Sequence, residues 1–506
     1  MNKKKINWVA VLTMMFLFGM ISFVTNLAAP IGTVWKNQPG IDGSNFWGMM
    51  GNMMNFLAYL FMGLPAGKLI IKYGYKKTTL IGVAVGFFGV LVQFLSGKLG
   101  VGAHVAGLPA NFFVYLLGAF ISGFSVCILN TVVNPMLNLL GGSGNKGNQL
   151  VQIGGTFNSL TGTLTPMLVM ALIGEITKKT AIVDVNPVLF IAMGVFAVVF
   201  AVLLFVPFVE PEQEKSNATV KSLLVHKHLV YGVIAIFLYV GVEVGIPGTL
   251  NFYLTTKTKE QLKAAIKDND QLLIDIETLK TDASVVEVEA LETLKTELSK
   301  KLHDKALIEK AEYQLILDNS ETIVEEIKKE SKDNQAKIDD PKYQEGLGKD
   351  GAFAGTLVGL YWLFMLIGRF VSSLISSKVS SKIQLTVTCS VAILLVVCSM
   401  ITSGLYMKIP GISDPVPLTA LLLIGCGLCT SVMWGTIFNL SVEGLGKNSA
   451  LASGLFMTMV VGGGVLPLIQ NAVADAAGFM ISYWVIVAAL VYMLWFAIFG
   501  SRVKKA

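Results

Sequence analysis

The stretch Gly162-Thr-Leu-Thr-Pro166-Met-Leu lies inside a long apolar run and returns 301 residues later as Gly463-Gly-Val-Leu-Pro467-Leu-Ile. Gly67-Lys68 returns at the same offset as Gly368-Arg369. A third echo, Asn26-Leu-Ala-Ala-Pro30 against Glu243-Val-Gly-Ile-Pro247, has an offset of 217. One match between Gly- and Pro-bearing segments would be chance. Three in separate apolar runs, two of them at one offset, read as an internal duplication. The 84-residue difference between the offsets measures a segment inserted into the second copy.

That segment is visible in the charge distribution. The chain has 506 residues, 54% of them hydrophobic and 14% charged, where a soluble chain would have about a quarter charged. Residues 255–350 hold 16 of the 39 basic and 23 of the 33 acidic side chains. The remaining 410 residues are too poor in charge for a water-soluble globule. The formal net charge of +6 therefore sums −7 in the segment and +13 elsewhere, and gives no ground for a nucleic-acid partner. The fold class expected is an all-α membrane protein.

A membrane span needs about 20 mostly apolar residues. Twelve such runs occur, at 8–34, 46–70, 77–96, 110–139, 148–172, 186–208, 228–254, 352–376, 383–404, 417–440, 449–472 and 480–500. Combined with the duplication, they give two six-helix repeats, the layout of the major facilitator fold, with substrate held between the halves near the midplane. The expected organisation is a first half over 1–208, a linker over 209–227, the first helix of the second half over 228–254, the insertion over 255–350 and the rest of the second half over 351–506. The N-terminal run continues past a signal-peptide length without a small-residue cleavage site, so it reads as a retained first helix.

Of 22 Lys and Arg in the termini and short connections, 17 fall on the side of the termini. The positive-inside rule then makes both termini cytoplasmic and puts the insertion outside. The insertion has no Gly from 255 to 345 and no Phe or Trp. Apolar residues recur at helical spacing in 262–279 (Leu262, Ile266, Leu273, Ile276, Leu279), in 288–302 and in 306–327, where Val324 and Ile327 close the pattern. Two or three antiparallel helices in a small external bundle are expected. Two readings of it stand: a solvated excursion with no part in transport, or a docking surface for an envelope partner or guard over the outer mouth.

The candidate chemistry lies in polar groups inside the spans. Glu243 is the one acid within a span, and a carboxylate there costs several kcal/mol unless it has a task or a partner. It reads as a structural carboxyl paired with another helix, as a proton or cation site, or as an acceptor for sugar hydroxyls. Asn26, Asn55, Asn130, Asn134, Asn158, Asn251 and Asn439 form a set of amides, each both donor and acceptor, suited to hydroxyls or to interhelical bonding. Trp434 stands away from the interfaces and offers a face for a sugar ring, or simple packing. Gly67, Lys68, Gly368 and Arg369 are expected as gate or interface anchors and not ligands. The Gly-rich 141–149 lacks the Gly-Lys-Ser/Thr end of a phosphate loop and reads as a turn. The five Cys sit in or near apolar runs, and Cys426-x-x-Cys429 has no second pair, so they read as small hydrophobes. No motif calls for an enzyme, a metal or an organic cofactor, and the chain is read as a monomer.

The stretches LNTVVNPMLNLLG (129–141), GGTFNSLTG (154–162), YVGVEVG (239–245), SVMWGTIFNLSVEGLG (431–446) and GGGVLPL (462–468) resemble the fucose–galactose–glucose:proton symporter family of the major facilitator superfamily. The resemblance covers all twelve spans and leaves the insertion unexplained. It implies a monosaccharide substrate and alternating access. Acids used by the family in spans one and four stand here as Asn26 and Asn130. The span-five Asn of the sugar site is kept as Asn158, while a Gln three residues before it is Gly155. Glu243 resembles the acid of the glucose/galactose branch. The residues and the resemblance together give an expected sugar site at Asn26, Asn130, Asn158, Trp434 and Asn439 with coupling at Glu243, by proton, by sodium, or not at all. An exporter of lipophilic compounds and a non-transporting receptor built on the external bundle are the other classes weighed. The first would want a more aromatic and acidic lining, and the second has no need of repeated gate glycines.

Overall fold

The computed structural model describes residues 8–140, 146–173, 180–206, 225–281, 320–375, 379–408, 415–443, 445 and 449–502. The first half comprises α1 (Trp8–Lys36), the short α2 (Asn45–Gly48), α3 (Met50–Leu95), α4 (Ala110–Leu140), α5 (Lys146–Ile173) and α6 (Asn186–Phe205). The second begins with α7 (Lys227–Thr255). It resumes after the insertion with α10 (Gly351–Ile375), α11 (Ser381–Ile401), α12 (Leu418–Val442), α13 (Ser449–Met459), α14 (Gly462–Ala477) and α15 (Phe479–Trp495). Two short hairpins, at 104–109 and 406–417, close equivalent connections of the two halves.

Eleven helices among the described residues are long and apolar enough to cross a membrane. One of them, α3, turns back at Gly74 (φ 78°, ψ 173°), a conformation that favours glycine, so its 46 residues make two spans. The count is therefore twelve. Large apolar side chains such as Phe61, Ile71, Phe88, Phe190 and Phe205 stay exposed around the outside, as lipid contact requires. The eleventh span departs from a single helix over 449–472. It breaks at Val460–Val461 through tight three-residue turns. The cause is packing: a side chain at Gly462 would strike the Phe237 carbonyl, while Gly463 and Gly464 lie against Phe56 and Met53.

Each half packs internally, α1 on α4 and α5 and α3 on α4 and α6 in the first, α7 on α12, α14 and α15 in the second. The halves meet along two seams, α5 with α10 and α3 with α13 and α14. The helices bearing the repeats at offset 301 are the seam helices. Along the first seam, Gly359 would touch the Thr163 carbonyl and Gly355 the Pro166 carbonyl if either carried a Cβ. Small residues let the backbones approach where apolar burial offers no gain over lipid.

The insertion supplies α8 (Lys259–Thr281) and α9 (Ser320–Asp339), which pack on each other; residues 282–319 lie outside the described part. Leu262, Leu272, Ile276, Ile323 and Ile327 are buried between them, so Leu272 takes the place expected for Leu273, and Ile323 rather than Val324 turns inward. Asn269 crosses to Ser331 at 3.0 Å. The pair stands on the face opposite the termini. Its return segment is bonded to the end of α7: Leu347 N to the Tyr253 carbonyl, Gly348 N to that of Thr256 and Lys349 N to that of Leu254, at 2.7–2.8 Å.

Candidate substrate and coupling site

On α7, Tyr239 and Glu243 are one turn apart and share a face. On α10, Trp362 and Arg369 are two turns apart and do likewise. The α7 face packs on α10, and the α10 face meets α5 in antiparallel order: Gly155 lies against Arg369, Gly162 against Trp362 and Pro166 against Gly355. The Arg369 guanidinium donates through Nη1 to the Gly155 carbonyl at 2.7 Å and to Ser159 Oγ at 3.0 Å. Its Nη2 stands 3.8 Å from Glu243 Oε1, an ion pair without a formed hydrogen bond. One cation thus ties three helices from both halves.

The surroundings are polar and under-bonded. Tyr239 buries its hydroxyl beside Glu243 without closing a hydrogen bond, and Trp362 Nε1 is buried without a partner. The Trp434 ring lies 6.1 Å from that of Tyr239. Asn158 donates to the Phe18 carbonyl at 3.1 Å, and Asn26 bends back to Ser22 through its carbonyl at 2.9 Å and its hydroxyl at 3.2 Å. Ser22 in turn adjoins Gly162, as does Trp362. Asn26, Asn158, Trp434, Glu243 and Arg369 therefore gather in the middle of the molecule. The Glu243 and Arg369 side chains keep 14% and 23% of their exposure there, so a water-sized space adjoins both charges.

Other expected residues go elsewhere. Asn130 donates to Tyr59 Oη at 2.7 Å within the first half. Asn55 is buried against α4 at Gly123. Asn251 crosses to Thr33 Oγ1 at 2.7 Å near the insertion side. Asn439 is exposed at the end of α12, and the Asn134 side chain lies outside the described part. Gly67 has open space where a side chain would be, and Lys68 is exposed. The close seam contact is made one turn earlier, where Gly63 meets Thr458. Gly368 packs on Leu428 and Ser431 of α12. Lys68 and Arg369 match in sequence but not in place, because Arg369 turns into the centre. Tyr239, Ser159 and Trp362 were not singled out in the sequence; helical spacing from Glu243 and Arg369 is the signal that finds the first and last.

On the insertion side the halves are sealed. Lys36 Nζ donates to Asn45 Oδ1 and Thr256 Oγ1, both at 2.6 Å, and lies over the rings of Phe252 and Phe479. Asp475, at the end of α14, accepts from Ser44 Oγ, Asn45 N, Asn45 Nδ2 and Phe46 N at 2.6–2.9 Å. Behind this cluster Asn52 donates to the Gly463 carbonyl at 2.8 Å.

Two six-helix halves meeting on two seams around a central charged site are accompanied by a direct match. The model of the Major Facilitator Superfamily fits residues 8–266. The chain belongs to this superfamily. It is 24% identical over 501 residues to a glucose/galactose transporter of Brucella abortus, across 97% of this chain and 94% of that one. Among solved structures, the Escherichia coli fucose:proton symporter matches with a TM-score of 0.59 at 16% identity, over 98% of this chain and 100% of that one. A D-xylose–proton symporter matches at 0.56 and 13% identity, over 98% and 99%. These structural likenesses establish the major facilitator fold. In this superfamily fold the central set stands where the two halves face each other.

Proposed function

We propose that this major facilitator protein carries a monosaccharide of the fucose, glucose or galactose class across a bacterial inner membrane by alternating access, in symport with a proton or sodium ion. The observation that carries the proposal is the pairing of Glu243 with Arg369 at the meeting point of three helices, in a centre that also holds the unpartnered Tyr239 hydroxyl and Trp362 Nε1. Full-length similarity to a glucose/galactose transporter supports the substrate class. Asn26, Asn158 and Trp434 are the sugar contacts in this reading, with Trp362 added to them. Glu243 is the coupling carboxylate: accumulation against a gradient needs a group whose charge is compensated in one part of the cycle, and it is the acid in the centre. The termini are cytoplasmic and the insertion external, as the 17 basic residues on the terminal side require.

Uptake of labelled L-fucose, D-glucose and D-galactose in transport-deficient cells, with pH and sodium varied, tests the reading. Uptake of at least one, with dependence on one ion, is expected. Transport of none overturns it. Labelling from outside should modify a cysteine at exposed Lys263 of α8 and not one at exposed Lys72; the reverse pattern would invert the topology.

A further inference from the structure

Arg369 belongs to the second half by chain position, yet its hydrogen bonds go to the first. Gly155 gives this reach close room. A Cβ there would come to 3.3 Å from Arg369 Nη1 and 3.9 Å from its Cδ and Cζ. The guanidinium donates to two neutral acceptors on α5, Gly155 O and Ser159 Oγ, while the carboxylate of Glu243 waits at 3.8 Å. An ionised carboxylate fully engaged by arginine closes to about 2.7–2.9 Å, often through two parallel bonds. The cation therefore stands between two competing sets of acceptors, one on each half.

We infer that Arg369 is a positioning residue shared by the two halves: held on α5 by Gly155 and Ser159 when Glu243 carries a proton, and drawn onto the Glu243 carboxylate when that proton leaves. The charge on Glu243 thereby decides whether the α5–α10 seam is latched at this level. The step moves one proton between Glu243 Oε and water and exchanges hydrogen bonds; no covalent bond changes elsewhere. Among the described residues, the ionisable groups facing Glu243 are Arg369 and Tyr361 from α10 and Tyr239 from its own helix. Tyr361 bonds to Thr430 of α12 at 2.9 Å, and Cys426 and Cys429 of α12 lie toward Tyr361. Arg369 is the only cation of the set. The inference rests on the reading of Glu243 as the coupling residue.

The test is the pH profile of labelled-sugar exchange, with L-fucose, D-glucose and D-galactose each offered to proteoliposomes holding the full chain. Ser159→Ala removes one of the acceptors on α5, releases Arg369 toward Glu243 and should lower the pH midpoint of exchange by about half a unit. Arg369→Gln removes the cation and should raise the midpoint by about one unit or more. Arg369→Lys, which keeps the charge but not the fork, should fall between Arg369→Gln and the wild type. Glu243→Gln should flatten the profile. Midpoints that stay put or move the same way in Ser159→Ala and Arg369→Gln, with Glu243→Gln flat, overturn this inference alone. A wild-type profile in Glu243→Gln overturns the coupling reading as well, and exchange of none of the three sugars by the wild type overturns both.

Discussion

The halves are joined by charge at two levels, and the two are built differently. On the insertion side, Lys36, Asn45 and Asp475 use almost every donor and acceptor they have: four donors converge on one carboxylate, and the ammonium has two oxygens and two aromatic faces. In the centre, Glu243 and Arg369 face each other at 3.8 Å beside the Tyr239 hydroxyl, which finds no hydrogen-bond partner, and two turns along α10 the Trp362 N–H is likewise unpartnered. A buried polar group left unmatched costs about 1–3 kcal/mol, so a site that keeps several is stabilised by whatever supplies the missing bonds. A saturated cluster has nothing to offer a ligand and serves as a seal. The under-bonded one suits a hydroxyl-rich substrate and an ion.

The largest effect expected on this contrast is at Glu243. Glu243→Gln keeps hydrogen bonds but cannot titrate, and should abolish concentrative uptake while sparing exchange down a gradient. Accumulation at the wild-type level, with unchanged pH and sodium dependence, would remove the centre from coupling. Loss of both activities in folded protein would instead make Glu243 a sugar ligand.

Next comes the seal. Asp475→Ala strands the Ser44, Asn45 and Phe46 donors, a loss of at least about 1.4 kcal/mol, which is ten-fold in an equilibrium. A cysteine at Met53, behind the seal, should then be modified from the insertion side about ten times faster than in the parent. An unchanged rate would mean that the glycine contacts at Gly463 and Gly464 close this side unaided.

The smallest effect should come from the insertion. The α8–α9 pair buries its apolar stripe within itself, and the 346–349 segment that pairs with the end of α7 lies beyond it. Replacing 258–345 with a short polar linker should leave membrane insertion and measurable sugar uptake. Loss of folded protein would show that the pair is part of the core.

Much of this contrast is legible in the sequence, and the part that is not has a physical reason. Apolar runs set the spans, and the repeats at Gly162 and Gly463 mark the seam helices, because close backbone approach demands small residues at fixed places. Glu243 stands out because a carboxylate inside a span is costly. Partner choice is not encoded locally. Asn130 is held by Tyr59, 71 positions away, Asn251 by Thr33, 218 away, and Asn158 by Phe18, 140 away, so amides that look alike in the chain go to different partners. Arg369 shares its offset with Lys68 but turns inward, because Gly155 on another helix leaves room for it.

The comparison is tested most directly by equilibrium sugar binding to two purified variants side by side. Asn158→Ala, in the centre, should weaken binding by about ten-fold, the scale of one buried hydrogen bond and its unpaired partner. Asp475→Ala, in the seal, should bind nearly as the wild type does. Intact binding in Asn158→Ala together with a ten-fold loss in Asp475→Ala would contradict the assignment of the two levels.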